Sequence, residues 1–228
     1  LFQDGRMFVE GIGALRAVNA YNGRSLWEFP LPNVQAAYNA DHLSGTAVTS
    51  SNFCVAGGSV YVHDKQRCYR LDAATGRKLG EFTPPVDRQG RAGAWGYIAC
   101  DGDVLFGSLA NPQHLTRYAY LRADMRELWG ESTALFALDA RTGELRWRYD
   151  AEESIRHNAI AIGNGRVFLI DRAIANEDKW NSDDASRKLP AVAELKHPLG
   201  RLLALNSTTG KTAWSRERRD AFGTMLAL

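Results

Sequence analysis

An all-β fold of repeated four-stranded antiparallel units, arranged as a β-propeller, is what the sequence predicts, and three observations predict it. One segment occurs four times, as AVNAYNGRSLW (Ala17 to Trp27), RLDAATGRKLG (Arg70 to Gly80), ALDARTGELRW (Ala137 to Trp147) and ALNSTTGKTAW (Ala204 to Trp214). Each copy sets Asp or Asn four residues before a glycine, and three of the four set Trp four residues after it: Asn19, Gly23 and Trp27; Asp72 and Gly76; Asp139, Gly143 and Trp147; Asn206, Gly210 and Trp214. Upstream of every copy stands a second pair of strand candidates around a tight turn. Units of this kind, marked by Gly and Trp, bury their faces against one another as propeller blades.

The elements follow in order. The upstream pairs are Leu1 to Glu10 about Asp4-Gly5, Thr49 to His63 about Gly57-Gly58, Tyr97 to Gly107 about Asp101-Gly102, and Ala159 to Asp171 about Asn164-Gly165. Within the repeat itself, Leu135 to Asp139 and Glu144 to Tyr149 are short runs of strand formers separated by a turn that ends in Gly143, which reads as a hairpin. Asp139 can accept from the backbone N–H groups of that turn, with Thr142 as a weaker helper, so the Asp-x-x-Thr-Gly spacing is turn chemistry. If Asp139 pairs with Glu144, the Trp of each copy faces Arg16, Phe136 or Leu203, and Gly80 faces Tyr69, whose ring would cover it. Counting strands gives blades at about 1–30, 46–84, 95–150 and 157–217, with the start of a further blade at 222–228. The repeat glycines are 53, 67 and 67 residues apart. That exceeds the roughly 40 to 50 residues of a compact blade, and the excess goes into loops.

Composition narrows the function classes. The 228 residues carry 28 Lys and Arg against 26 Asp and Glu, a formal net charge of +2, which gives no dedicated nucleic-acid or anionic-membrane surface. The Arg216 to Arg219 cluster reads as a solvated loop. No apolar run approaches the roughly 20 residues of a spanning helix, so no membrane span is expected. Cys54, Cys68 and Cys100 form no CxxC or CxxCH pattern, so metal and haem sites are not supported. Turns at Gly57-Gly58 and Asp64-Lys65 would set Cys54 and Cys68 opposite Tyr61 from either side. That spacing, roughly 9 to 10 Å, is beyond disulfide reach, and the expectation is buried free thiols.

The Ala-x-Asp/Asn-x-x-Thr-Gly-x-x-x-Trp pattern resembles the tryptophan-docking repeat of PQQ-binding-like β-propellers, the quinoprotein dehydrogenase-like superfamily, over nearly the whole chain. The resemblance implies a ring of seven or eight blades, of which about four are present, and a periplasmic or extracellular protein. A fragment of a longer protein is the leading explanation; a four-bladed ring and a dimer of half-rings are the alternatives. Two functions come with the family. One is a scaffold that binds a protein or small-molecule ligand, alongside the remaining blades or a second copy. The other is part of a PQQ-dependent dehydrogenase that oxidises an alcohol or sugar, and PQQ with Ca²⁺ is expected only in that case. Dehydrogenases of the family show an adjacent Cys-Cys pair and axial Glu, Asn and Asp; this chain has no Cys-Cys, and no residue is matched to the axial set.

Antiparallel order places the B-to-C and D-to-A connections of every blade on one face. Both long insertions, about Ser108 to Ser132 and Asp171 to Pro198, emerge there, as do Leu31 to Gly45, Pro84 to Trp95 and Asp150 to His157. Long connections carry function, so this loop-rich face is the candidate ligand surface. Its candidates are His42, Trp95, Tyr97, His114, Arg156, His157, Asn158 and Trp180, with His63 ranked lower and no catalytic residue assigned. Leu121 to Trp129 is expected to form a short helix, a lid on the blade edge. The acidic pairs Glu152-Glu153 and Asp183-Asp184 read as solvated loop charges.

Overall fold

The computed structural model describes residues 1–11, 13–32, 52–64, 66–111, 115–120, 123–173 and 200–218, with backbone alone for 115–120, 123–129 and 158. Every regular element among them is a strand. Phe2–Gln3 (β1), Arg6–Gly11 (β2), Ala14–Asn19 (β3) and Ser25–Pro30 (β4) form the first antiparallel sheet, and Phe53–Ala56 (β5), Ser59–Asp64 (β6), Arg67–Asp72 (β7) and Lys78–Phe82 (β8) form the second. Trp95–Asp101 (β9), Val104–Ala110 (β10), Glu131–Asp139 (β13), Leu145–Gly163 (β14), Arg166–Arg172 (β15), Gly200–Asn206 (β16) and Thr212–Arg218 (β17) make one seven-stranded sheet. The chain is a β-propeller segment in which four successive units are present and no ring closes among the described residues.

The third and fourth units share β14. Its first part pairs with β13 and its second with β15, so the expected Asp150 to His157 loop is instead continuous strand. Contacts on both sides hold it there: Tyr149, Ala151 and Ile155 face a shared core while Glu152 and Glu153 give their backbone N–H groups to Asp171. Of the helix expected at Leu121 to Trp129, residues 123–129 are strand, and 121–122 lie outside the described residues. Ala123–Trp129 (β12) pairs with Leu115–Tyr120 (β11) as a separate hairpin, and the apolar spacing that suits a helix is carried there by β-pairing with the Thr- and Tyr-rich strand before it.

The four repeat hairpins share one irregularity, and it overturns the predicted pairing. Asp139 N–H does bond to Glu144 O, at 2.7 Å, but Leu138 pairs with Leu145 and Ala137 with Trp147, leaving Arg146 bulged. The same bulge sets Trp27 opposite Ala17, Gly80 opposite Arg70 and Trp214 opposite Ala204. The indole therefore crosses the small alanine of the repeat, not the bulkier residue one position away. Two other turns fall one residue later than expected: Asp64 pairs with Arg67, which moves Cys68 opposite His63, and Asp101 pairs with Val104.

Three core clusters lie between adjacent units, one per junction. At the first, Trp27 Nε1–H donates to Ala73 O at 3.1 Å, and a Cβ on Gly76 would stand 2.7 Å from the indole. At the third, Trp147 Nε1–H donates to Ser207 O at 2.8 Å and its ring covers Gly210 in the same way. Gly76, Gly143 and Gly210 all have φ near +70° to +80°, so the turn and the close ring both require glycine. The second junction lacks the Trp. There Phe82, two residues beyond Gly80 and so on the same strand face, packs its ring on Gly143, while Tyr61 OH donates to Ala140 O at 2.9 Å.

Each turn is capped by its Asp or Asn. Asp139 Oδ1 accepts from Arg141 N–H and Thr142 N–H, and Oδ2 pairs with Arg146 at 2.7 Å, which holds the carboxyl well below the usual carboxylate range. Substituting Asp139→Ala is expected to lower stability by about 1–2 kcal/mol, because two turn amides lose their acceptor. A urea melt compared with wild type checks this.

Candidate functional site

Among the described residues, three segments contribute to the loop-rich face: 83–94 after β8, the ends of β10 and β13, and the middle of β14. The first of these is a tight turn. Asp87 O accepts from Gly90 N–H, and Asp87 Oδ1 accepts from Gln89 and Arg91 N–H, with Arg91 Nε 2.7 Å from Oδ2. Those contacts hold the Asp87 carboxyl below its usual range. Two arginines then pin the segment to β14. Arg88 donates to Ala151 O, and Arg148 donates to Val86 O while its guanidinium bonds Asp150 at 2.6 Å.

Between these walls lies a groove of about 380 Å³. Arg88, Arg91, Gln66, Gln89 and Asn111 supply polar groups, Leu109, Ala110 and Ala151 the apolar floor, and Asp87 and Glu153 the opposite charge. The Arg88 and Arg91 side chains are more than half exposed, so their charge faces solvent at the rim. Mixed polar lining over an apolar floor suits recognition of an extended polar ligand or peptide segment.

Behind the groove, units three and four are joined by buried polar groups. Tyr97 N–H donates to Ser108 Oγ at 2.7 Å, Ser108 Oγ lies 2.7 Å from Ser132 Oγ, and Ser132 Oγ lies 2.6 Å from His157 Nε2. The Tyr97 amide donates to Ser108, and Ser108 and Ser132, then Ser132 and His157 Nε2, each share one hydrogen bond. A Cβ on Gly96 would stand 2.5 Å from His157 Nε2, so this approach excludes any side chain there. Ser108, Ser132 and His157 are all at most 1% exposed, which places the run out of reach of a substrate. Beside it, Glu131 accepts from Ser154 Oγ at 2.7 Å and Arg156 Nε at 3.1 Å, with Arg172 at 3.9 Å. Asp171 accepts from Tyr149 OH, from Glu152 and Glu153 N–H, and from Arg201 at 3.2 Å. Burial first, and that bond to Asp171 second, push the Tyr149 hydroxyl up from its ordinary value.

The sequence candidates land unevenly. Trp95 is 1% exposed, stacked on His63 at 6.2 Å and edge-on to Phe136 at 5.1 Å, and so belongs to the core between units two and three. Tyr97 packs on the other side, where burial pushes its hydroxyl up to about 12. Arg156 and His157 join the buried network, and Asn158 lies within β14. His42, His114 and Trp180 fall outside the described residues. Sequence reasoning missed Ser108, Ser132, Glu131, Asp171, Arg88 and Arg91. The signal for the first four is polar side chains at positions a strand would bury. Among the described residues no three His, Cys, Asp or Glu side chains are placed to hold a metal ion. The buried carboxylates Glu131 and Asp171 are each engaged by arginine, so among the described residues neither is a free donor for PQQ with Ca²⁺.

Comparison with known proteins comes to the same fold. The family model described as outer membrane protein assembly factor BamB matches residues 13–226. Among solved structures, the quinohemoprotein alcohol dehydrogenase ADHIIG of Pseudomonas putida HK5 is similar at TM-score 0.56 and 15% identity, over 94% of this chain and 33% of that one. The computationally designed Ika8 protein is similar at TM-score 0.52 and 10% identity, over 96% of this chain and 48% of that one. BamB from Moraxella catarrhalis gives TM-score 0.43 and 16% identity, over 90% of this chain and 58% of that one. The chain thus spans a third to about three-fifths of these structures. No curated protein matches it.

Proposed function

This chain belongs to the family of the outer membrane protein assembly factor BamB, and from that premise we propose that it is an extracytoplasmic propeller segment that binds a protein or small-molecule ligand through its loop-rich face. The groove beside Arg88 and Arg91 carries the reading. Among the described residues of that face, exposed cations, amides and an apolar floor converge there, while the buried Ser132–His157 run offers no exposed nucleophile. An anionic or polar partner segment would find the arginines at the rim and Gln66, Gln89 and Asn111 along the wall. The alternative is part of a PQQ-dependent dehydrogenase that oxidises an alcohol or sugar, and there PQQ with Ca²⁺ would need donors beyond those on the described residues.

A photo-crosslinking residue in place of Gln89, at the groove, is compared with one in place of Arg141, on the opposite turn face. The expected result is a discrete adduct from position 89 alone, reduced about tenfold by the added substitution Arg88→Glu. Equal labelling at both positions overturns the groove. Titration with PQQ and Ca²⁺, read by quenching of the six tryptophans, separates the alternative. Saturable micromolar binding would favour the dehydrogenase over the scaffold.

A further inference from the structure

The cysteine contact that matters joins two units. β5 and β9, the first strands of the second and third units, run close together, and Cys54 on β5 and Cys100 on β9 are electrostatic neighbours of one another. Both side chains pack on the core cluster that contains Cys68, and both are half-buried, whereas Cys68 is fully buried. Cys68 sits on β7, separated from Cys54 by the whole of β6, so those two are two strand spacings apart and outside disulfide geometry. Cys100 also lies 3.9 Å from Gly102 O, at the turn that ends β9, where the chain meets solvent.

We infer that Cys54 and Cys100 form a modification site, an inter-unit disulfide made by exchange with a disulfide-bearing oxidant, either a small-molecule disulfide or an oxidoreductase. The Cys100 thiolate attacks one sulfur of the oxidant and expels the other as a thiolate. The Cys54 thiolate then displaces the oxidant's remaining sulfur from Cys100. Two thiols become one disulfide, the oxidant is reduced to two thiols, and the two protons released go to its two sulfurs. The order follows from position: Cys100 stands beside the exposed turn that ends β9 and its neighbour Cys54 holds its thiol below the ordinary value, while burial pushes the Cys54 thiol up. The bond would staple the innermost strands of neighbouring units at the one junction that lacks a docked Trp.

The test uses the folded full chain and oxidised glutathione, read by intact mass and peptide mapping. The expected product has lost the two thiol hydrogens, carries no glutathione and yields a peptide pair linked through Cys54 and Cys100. Cys68→Ser leaves this unchanged, and Cys54→Ser stops the reaction at a glutathione adduct on Cys100. The linked form should melt higher by on the order of 5–10 °C. Stable glutathione adducts on both cysteines, a Cys54–Cys68 link, or thiols that stay reduced where the urea-unfolded chain is oxidised would each overturn the proposal.

Discussion

Trp147→Ala is expected to be among the most damaging single substitutions in the chain, lowering stability by about 3–5 kcal/mol. The indole fills the core between units three and four, lies over Gly210, tilts against Phe106 at 6.0 Å and satisfies Ser207 O. Truncation leaves a cavity and an unpaired buried carbonyl, and the second adds about 1 kcal/mol. Against a total of about 5–15 kcal/mol, the loss should move a chemical denaturation midpoint by a large fraction of its value. Two comparisons make the reading specific. Phe82→Ala should cost about 3 kcal/mol, because Tyr61 keeps the carbonyl bond when the ring is gone. Trp214 is 38% exposed, and Trp214→Ala should cost about 1 kcal/mol or less. Equal losses at Trp147 and Trp214 would mean that the inter-unit contact is not what makes the indole valuable.

Acid should unfold the protein through His63 before most of its carboxylates protonate. The imidazole stacks on Trp95, and its ring nitrogens are covered from solvent. Burial, and next the nearby His157, push its pKa down to about 3, against a weaker opposing contact from the Gly96 backbone. In the unfolded chain the ring titrates near its ordinary value of 6.5, so the unfolded state takes up the proton first. The stability held by neutral His63 is therefore complete above pH 6.5 and falls by about 1.4 kcal/mol per pH unit below it, until about pH 3. Urea midpoints at pH 7.5, 5.5 and 4.5 should fall steeply for wild type and less for His63→Gln. Parallel curves would place the acid sensitivity elsewhere, with the Asp139 and Asp87 carboxylates next in line because they lose their partners only at lower pH.

The repeat was readable because its signals are local. Asp139 caps its own turn and Gly143 takes its own positive φ, so both announce themselves over five residues. The docking partners were not readable, since Trp27 and Gly76 meet only after a unit boundary has been crossed. Register failed by one residue wherever a bulge enters, because Asp139 pairs with Glu144 as expected and the slip comes two residues later at Arg146. The helix expected at Leu121 to Trp129 failed because apolar spacing over nine residues fits either period, and the strand before it decided the outcome. At the face, Trp95 opens β9 while His157 lies in the middle of β14, and both are core residues, since order along the chain gives no depth. Arg88 and Arg91 drew no notice in a polar loop; Arg88 gains its place from the β14 backbone it reaches and Arg91 from the Asp87 turn it closes.

The inter-unit joint has a direction, and its direction has consequences for assembly. Each joint takes its aromatic ring from one unit and its glycine turn from the next, so the two surfaces are different and cannot pair with their own kind. Gly23 has nothing within 4 Å and Trp214 is partly exposed, so the described residues carry both halves of one more joint, at opposite ends of the series. Contacts of this head-to-tail kind propagate until rotation per step brings the last surface round to the first, and otherwise they continue as an open filament. Ring closure is then a matter of pitch. The rotation from one unit to the next sets how many units make a turn, and with it whether the partly exposed Trp214 meets a further glycine turn.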